Sequence, residues 1–338
     1  MGRKSEEFQR RKRINLSSLP NLILTVLVCL VCWTVGYQYS AGYPVVCDTG
    51  ASPVWEAVCA ILPDKRFTYL IGCLLICLLA FIIQRINFSF VIVRGKTLLP
   101  FLFFLLFVST NPDIFPLRPA SLTLFFLLGA LAELFSSYQS PEQTGRAFNW
   151  SVYLSLGSLI WPHLLWMVPL FWFGMYRLHS LTPQNLLTSV LGILTTFGFV
   201  FVWCLWKHDY TLFIVLKEQL AAIHPFFLSN PLRIEWLSSI CVVCLTIITY
   251  IYILLHEFEH NIRTRQFLSF LLVFAFYSLI PLGLYEQHSV DFLCLFYVPS
   301  SMLVSYFFSD RRNLLTYLFY ILIVIFLMLL LLVRLWTF

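Results

Sequence analysis

The sequence predicts an all-α fold, a polytopic transmembrane helical bundle, and three observations carry that prediction. Apolar stretches of near membrane-crossing length follow one another along 338 residues, separated by short charged punctuation. The composition is 60% hydrophobic and 11% charged, against roughly 25% charged residues in an ordinary soluble domain. Runs such as 314–333 are apolar on every face, whereas membrane barrel strands alternate over about ten residues. Helices satisfy their own backbone in lipid, so they fit that pattern.

Residues 1–19 form a basic tail with Arg3, Lys4, Arg10, Arg11, Lys12 and Arg13. The positive-inside rule places such a tail in the cytoplasm. The apolar run 22–35 has the length of a signal-peptide core, and small residues follow at 40–42. A retained anchor is expected instead, because no soluble segment that needs export follows. Residues 20–338 are expected to form a single transmembrane domain.

Eleven helices are expected, at about 20–38, 67–84, 98–111, 118–136, 150–161, 163–178, 185–206, 236–255, 267–285, 290–308 and 314–335. With the N-terminus inside, the inner turns carry Arg85, Arg94 and Lys96, then Arg146, Arg177, Arg263 with Arg265, and Arg311 with Arg312. Each inner turn then obeys the positive-inside rule. Two pairs are short and joined at proline: 98–111 with 118–136 through Asn111-Pro112-Asp113, and 150–161 with 163–178 through Trp161-Pro162-His163. If either pair is re-entrant it returns to its own side, and the count falls within 9–11. Two outer loops are expected, 39–66 and 207–235. Residues 53–62 in the first predict a short interfacial helix, and Leu212 to Ile223 in the second predict a helix on the membrane surface around Lys217 and Glu218.

The net charge of +6 does not indicate nucleic acid, because the cations sit in the tail and at helix ends instead of on one interleaved face. Membrane lipids are the expected contacts of these cations. The segment His256-Glu257-Phe258-Glu259-His260 matches the zinc-protease pattern of two histidines one helical turn apart. No third ligand lies nearby, Glu259 stands where an apolar residue is usual, and a polar helix end is the expected reading; no metal and no cofactor are invoked. Cysteines inside apolar helices, such as Cys29 and Cys241, read as small hydrophobes. Cys47 and Cys59 both fall in the first outer loop, where a disulfide between them can form.

The outer ends gather carboxylates, among them Asp48, Asp113, Glu218 and Asp291, with Arg118, His163, Lys207, His208, Arg233 and His288. Broken helices need protein or a wet cavity around their backbone. Pro112, Pro116, Pro162 and Pro169 therefore predict a cavity at the outer end, with Asp48, Arg118 and His163 at its border.

The stretch Arg94 to Ser109, with Asn111-Pro112, Pro119-Ala120, residues 158–166, Ile262 to Arg265 and residues 305–312, resembles an uncharacterised multi-pass inner-membrane family of Bacteroidota. That resemblance spans roughly 85–330 and implies an inner-membrane location without assigning an activity. The layout is also similar to that of membrane glycosyltransferases that use polyprenyl-phosphate sugars: helix number, a large first outer loop with an interfacial helix, and proline-broken central helices. In those enzymes an acidic residue shortly after the first helix serves in catalysis, and Asp48 occupies the comparable place. The chain lacks their second adjacent acid, and no large outer domain follows the helices.

Together these readings predict glycosyl transfer from a lipid-linked sugar at an outer cavity. Asp48 is the expected base, and Arg118, His163, Lys207, His208 and Arg233 are the expected phosphate-binding groups. The expected partners are membrane lipids and either a polyprenyl-linked glycan or an envelope protein. The rival reading is a non-enzymatic scaffold or transporter-like component of an envelope assembly. Ionisable residues near mid-bilayer would favour transport, and the expected helices hold almost none away from their ends.

Overall fold

Helix boundaries in this chain are set by proline and by polar caps, because the apolar runs alone carry no stop signal. Four helices begin with proline in their first turn after a residue in extended or capping geometry: Pro53, Pro119 and Pro183 open their helices, and Pro100 is second in its own. Proline there gives up an N–H that would have no partner anyway. The computed structural model describes residues 19–39, 52–62, 65–93, 97–223, 237–255, 261–310 and 314–336.

Those residues form thirteen α-helices and no strand. They are α1 (Leu19–Tyr39), α2 (Pro53–Ile61), α3 (Lys65–Phe90), α4 (Leu99–Ser109), α5 (Pro119–Ser136), α6 (Thr144–Ile160) and α7 (Met167–Arg177), followed by α8 (Pro183–Lys207), α9 (Thr211–Ala221), α10 (Leu237–Leu255), α11 (Ile262–Leu284), α12 (Ser289–Asp310) and α13 (Leu314–Trp336). Three 3₁₀ turns, Pro112–Ile114, Pro162–Trp166 and Glu286–His288, precede α5, α7 and α12. The eleven expected helices are all present. The two additional ones, α2 and α9, coincide with the short helices expected in the two loops.

Three boundaries differ from expectation by about one and a half turns, one of them the start of α11 at Ile262 instead of 267. The third helix was expected to stop at 84 because Arg85 and Asn87 read as loop, yet α3 runs on to Phe90. Its polar residues hold the returning chain instead: Gln84 donates to the Thr97 carbonyl at 2.7 Å, and Asn87 Oδ1 accepts from Val93 N–H at 2.9 Å. Likewise α6 begins at Thr144 instead of 150, with Asn149 reaching Glu133 on α5 at 3.4 Å.

Among the described residues six helices are long and apolar enough to cross a membrane: α3, α5, α8, α10, α11 and α12. The bundle therefore belongs in a membrane, and its ends can be followed from hydrogen bonds. At one end, here the upper, Leu117 N–H donates to Thr68 O at 3.2 Å, and Tyr285 donates to Leu220 O at 2.7 Å. The turns at 110–118, 161–166 and 285–288 meet there. At the lower end Gln139 N–H donates to Leu178 O at 3.1 Å, and Tyr252 donates to Asp310 at 2.6 Å. The hairpin of α6 and α7 thus leaves and returns at the same end. Helix α4 is only eleven residues, about 16 Å at 1.5 Å per residue. The irregular segment 110–118 completes its path to the upper end.

Helix α12 is the centre of the bundle: 94% of its apolar window is buried, against 17% for the peripheral α8. It is apolar on all faces, as a fully enclosed helix must be, and it packs on α4, α5, α10 and α11. In lipid the helices gain nothing from hiding apolar surface, so close fit and polar contacts must hold them. The buried Ser300, Ser301 and Ser305 of α12 permit such close approach. Around them Phe103 stacks on Phe308 at 5.2 Å, and Phe107 meets Tyr297 at 5.9 Å.

Candidate functional site

The upper end concentrates the buried charge of the bundle. Arg118 is the extended residue before α5, and Pro119 opens that helix. Asp291 stands in the first turn of α12, where the positive end of the helix dipole favours a carboxylate. Arg118 donates through Nε to Asp291 Oδ1 at 2.6 Å and through Nη2 to Oδ2 at 3.3 Å. A third donor, Nη1, reaches the Asp113 carbonyl at 3.3 Å. This is the two-pronged geometry in which Arg binds carboxylate most strongly. Burial disfavours the guanidinium charge, but the Asp291 carboxylate outweighs it and holds Arg118 above its ordinary value.

His288, in the turn before α12, brings Nδ1 to 3.5 Å from Asp291 Oδ2. His163 follows from it, with the two imidazole centroids 4.5 Å apart. Tyr285 is 4.5 Å from the His163 ring, Trp161 5.5 Å and Phe292 5.7 Å. His163 is fully buried, and neither ring nitrogen has a hydrogen-bond partner at bonding geometry. Burial lowers its pKa to about 3, helped by the neighbouring His288, while Asp291 and the Gln219 backbone oppose the shift and lose. The imidazole is therefore neutral, with one donor and one acceptor unspent.

The surrounding elements lock this layer. Ser52 caps α2 by accepting from Val54 N–H at 3.3 Å and donates its own hydroxyl to Leu159 O at the end of α6. Behind the cap, buried Trp55 packs with Leu117. Tyr285 ties α9 to the layer through Leu220 O, and Tyr277 donates to Trp166 O at 2.8 Å. The irregular backbone at Asn111 to Phe115 and Trp161 to Leu164 is enclosed by protein, one of the two settings that broken helices at membrane depth require.

Of the residues singled out from sequence, Arg118 and His163 come together through Asp291 and His288. Lys207 and His208 end α8 on the exposed surface. Lys207 lies over its own Trp203 ring at 5.6 Å, and His208 takes the left-handed cap position with φ 54°. Neither bonds to the Arg118 cluster. Asp48, Cys47 and Arg233 lie outside the described residues, as does the 256–260 histidine pair. Cys59 is disulfide-bonded, while the eight other described cysteines are free. Among the described residues no group of three His, Cys, Asp or Glu side chains is arranged to hold a metal ion.

Asp291 and His288 are the members of this cluster that were not singled out as binding residues. The signal for them was present: both open an apolar helix at the same end as Arg118, and a buried Arg needs a counter-charge. No family model matches the sequence, and neither a curated protein nor a solved structure matches it.

The neutral His163 carries a pH prediction. Its folded pKa lies below the ordinary value of about 6.5, so on acidification the unfolded chain takes up a proton that the folded chain refuses. Stability is then full above about pH 6.5 and falls as pH drops toward the folded value. The thermal midpoint in detergent is expected to fall between about pH 7 and about pH 5, and His163→Phe is expected to flatten that slope. At neutral pH the same substitution removes two orphan nitrogens from an aromatic setting and is expected to be close to neutral. An unaltered slope in His163→Phe would assign the acid sensitivity to other groups.

Proposed function

We propose that this chain is a multi-pass inner-membrane protein that transfers a sugar from a polyprenyl-phosphate donor at its upper end, with that end facing outward and the N-terminus in the cytoplasm. One observation carries the reading: a connected set of ionisable side chains, Arg118, Asp291, His288 and the unpartnered His163, gathered where the proline-broken turns meet. Ionisable groups inside a membrane bundle are costly to keep, and their default meaning is function. The basic inner turns support the orientation through the positive-inside rule.

In this reading the Asp48 carboxylate accepts the proton of the acceptor hydroxyl, whose oxygen attacks the anomeric carbon. The bond to the phosphate oxygen breaks, and the polyprenyl phosphate leaves with the electron pair. That leaving group needs cationic donors fixed in advance. Arg118 is half committed to Asp291, so its remaining N–H groups, His163, the exposed Lys207 and His208, and Arg233 are assigned to the phosphate. The chemistry calls for no cofactor.

A second reading has its own support. Asp291 already matches the charge of Arg118, so the pair can serve as a purely structural clasp in a scaffold that binds an envelope protein. Transfer from a polyprenyl-linked donor in proteoliposomes separates the two. Asp48→Asn is expected to abolish transfer while leaving expression and the thermal midpoint unchanged. Equal transfer by the variant, or none by the wild type, leaves the scaffold as the reading.

A further inference from the structure

A second feature lies at the lower half of the bundle and is independent of the reading above. Helices α3 and α5 run side by side there and leave a groove of about 560 Å³, floored by Tyr153 of α6, within the roughly 300–1,000 Å³ of small-molecule sites. Its polarity is graded along the bundle. Toward mid-bilayer its walls are apolar, with Ile82 from α3 and Phe125 and Leu128 from α5. The polar groups Arg85, Ser89 and Ser136 are confined to the lower part, among Ile86, Phe90 and Ala132. From Phe125 to Ser136 is eleven residues, about 16 Å of helix. The groove opens sideways onto the surface that faces lipid, since Phe125 is 47% and Tyr153 38% exposed.

Arg85 decides what such a groove holds. It forms no hydrogen bond and no ion pair with any described residue, although it stands within a candidate membrane span. Glu133, the carboxylate next to the groove-lining Ala132, accepts from Asn149 at 3.4 Å and does not line the groove. An unpaired guanidinium about one and a half turns inside a membrane helix seeks an anionic oxygen, and a phosphate suits its fork. Ser89, one helical turn further along α3, offers a further donor, whereas Ser136 donates to Ala132 O of its own helix at 2.8 Å. We infer that this groove is a binding site for an anionic phospholipid of the lower leaflet, with an acyl chain along Ile82, Phe125 and Leu128 and the phosphate on Arg85. The graded lining matches the amphipathic axis of a phospholipid, which a free phosphate would leave largely unused.

The test titrates the full chain, purified in neutral detergent, with dioleoyl phosphatidylglycerol, dioleoyl phosphatidylcholine and glycerol 3-phosphate, and reads bound ligand by native mass spectrometry. Wild type is expected to prefer the anionic lipid over the zwitterionic one by about tenfold, as a charge-assisted contact implies, and to bind glycerol phosphate negligibly. Arg85→Gln should erase the preference and Arg85→Lys should retain most of it. In Gly129→Leu both lipids should bind less. A Cβ at Gly129 meets only the Tyr153 ring, at 3.7 Å, so the added side chain fills the groove without displacing backbone. An equal preference in wild type and Arg85→Gln, or binding of glycerol phosphate as tight as that of the lipid, would overturn the inference.

Discussion

Gly72→Ala is expected to destabilise the protein by about 1–3 kcal/mol, the usual cost of overpacking a fitted interior, and to loosen the turn that presents Arg118. A Cβ at Gly72 would overlap the Phe115 carbonyl oxygen and stand 2.9 Å from Leu117 N and 3.0 Å from Pro116 C. All three are backbone atoms, so no side chain can rotate aside and the chain itself must move. The displaced segment is the one whose Leu117 N–H binds Thr68 O on α3 and whose Leu117 side chain packs on Trp55. Arg118 is its next residue. The effect is read as a lower thermal midpoint in detergent together with faster amide exchange across 110–118. Gly129→Ala is the control, since its new methyl lies at ordinary contact distance, and helix propensity favours Ala over Gly by about 1 kcal/mol. Equal behaviour of the two variants would show that the segment does not rest on α3 as described.

The sequence made the helices legible because membrane depth imposes one rule along the whole chain. A run such as 237–255 carries no charge and is mostly apolar, and its ends can be placed within a residue or two. The same rule fails where polar side chains are satisfied by protein instead of water. Gln84 and Asn87 look like the end of a helix, yet they bond the strand of chain that turns back beneath them. The two loop helices were legible as the short stretch opened by Pro53 and as the apolar spacing around Lys217, while the Ser52 cap appears only in the structure.

The candidate site was legible only in part. Arg118 and His163 stand out as polar residues beside prolines that interrupt apolar sequence. Their connection through Asp291 joins positions 173 residues apart, and no local pattern encodes such a pairing. The aromatic enclosure of His163 is equally non-local, since it draws Trp161, Tyr285 and Phe292 from three elements. Asp48, the base implied by the likeness to polyprenyl-phosphate-sugar enzymes, lies outside the described residues.

Helices α5 and α12 are clasped at their N-terminal ends by the buried Arg118–Asp291 ion pair, which also holds His288 of the histidine layer. Removing one partner leaves an uncompensated charge in the protein interior, at a cost of about 3–5 kcal/mol. Replacing both by apolar side chains removes that burden, and such exchanges are often close to neutral. Arg118→Leu and Asp291→Leu are therefore each expected to lower stability in detergent severely, and the double variant to recover most of the loss. The most direct measurement is the double-mutant cycle of unfolding free energies across Arg118 and Asp291. The structure predicts a coupling of several kcal/mol. Additive losses, agreeing to within about 0.5 kcal/mol as for independent sites, would contradict the clasp and the site built on it.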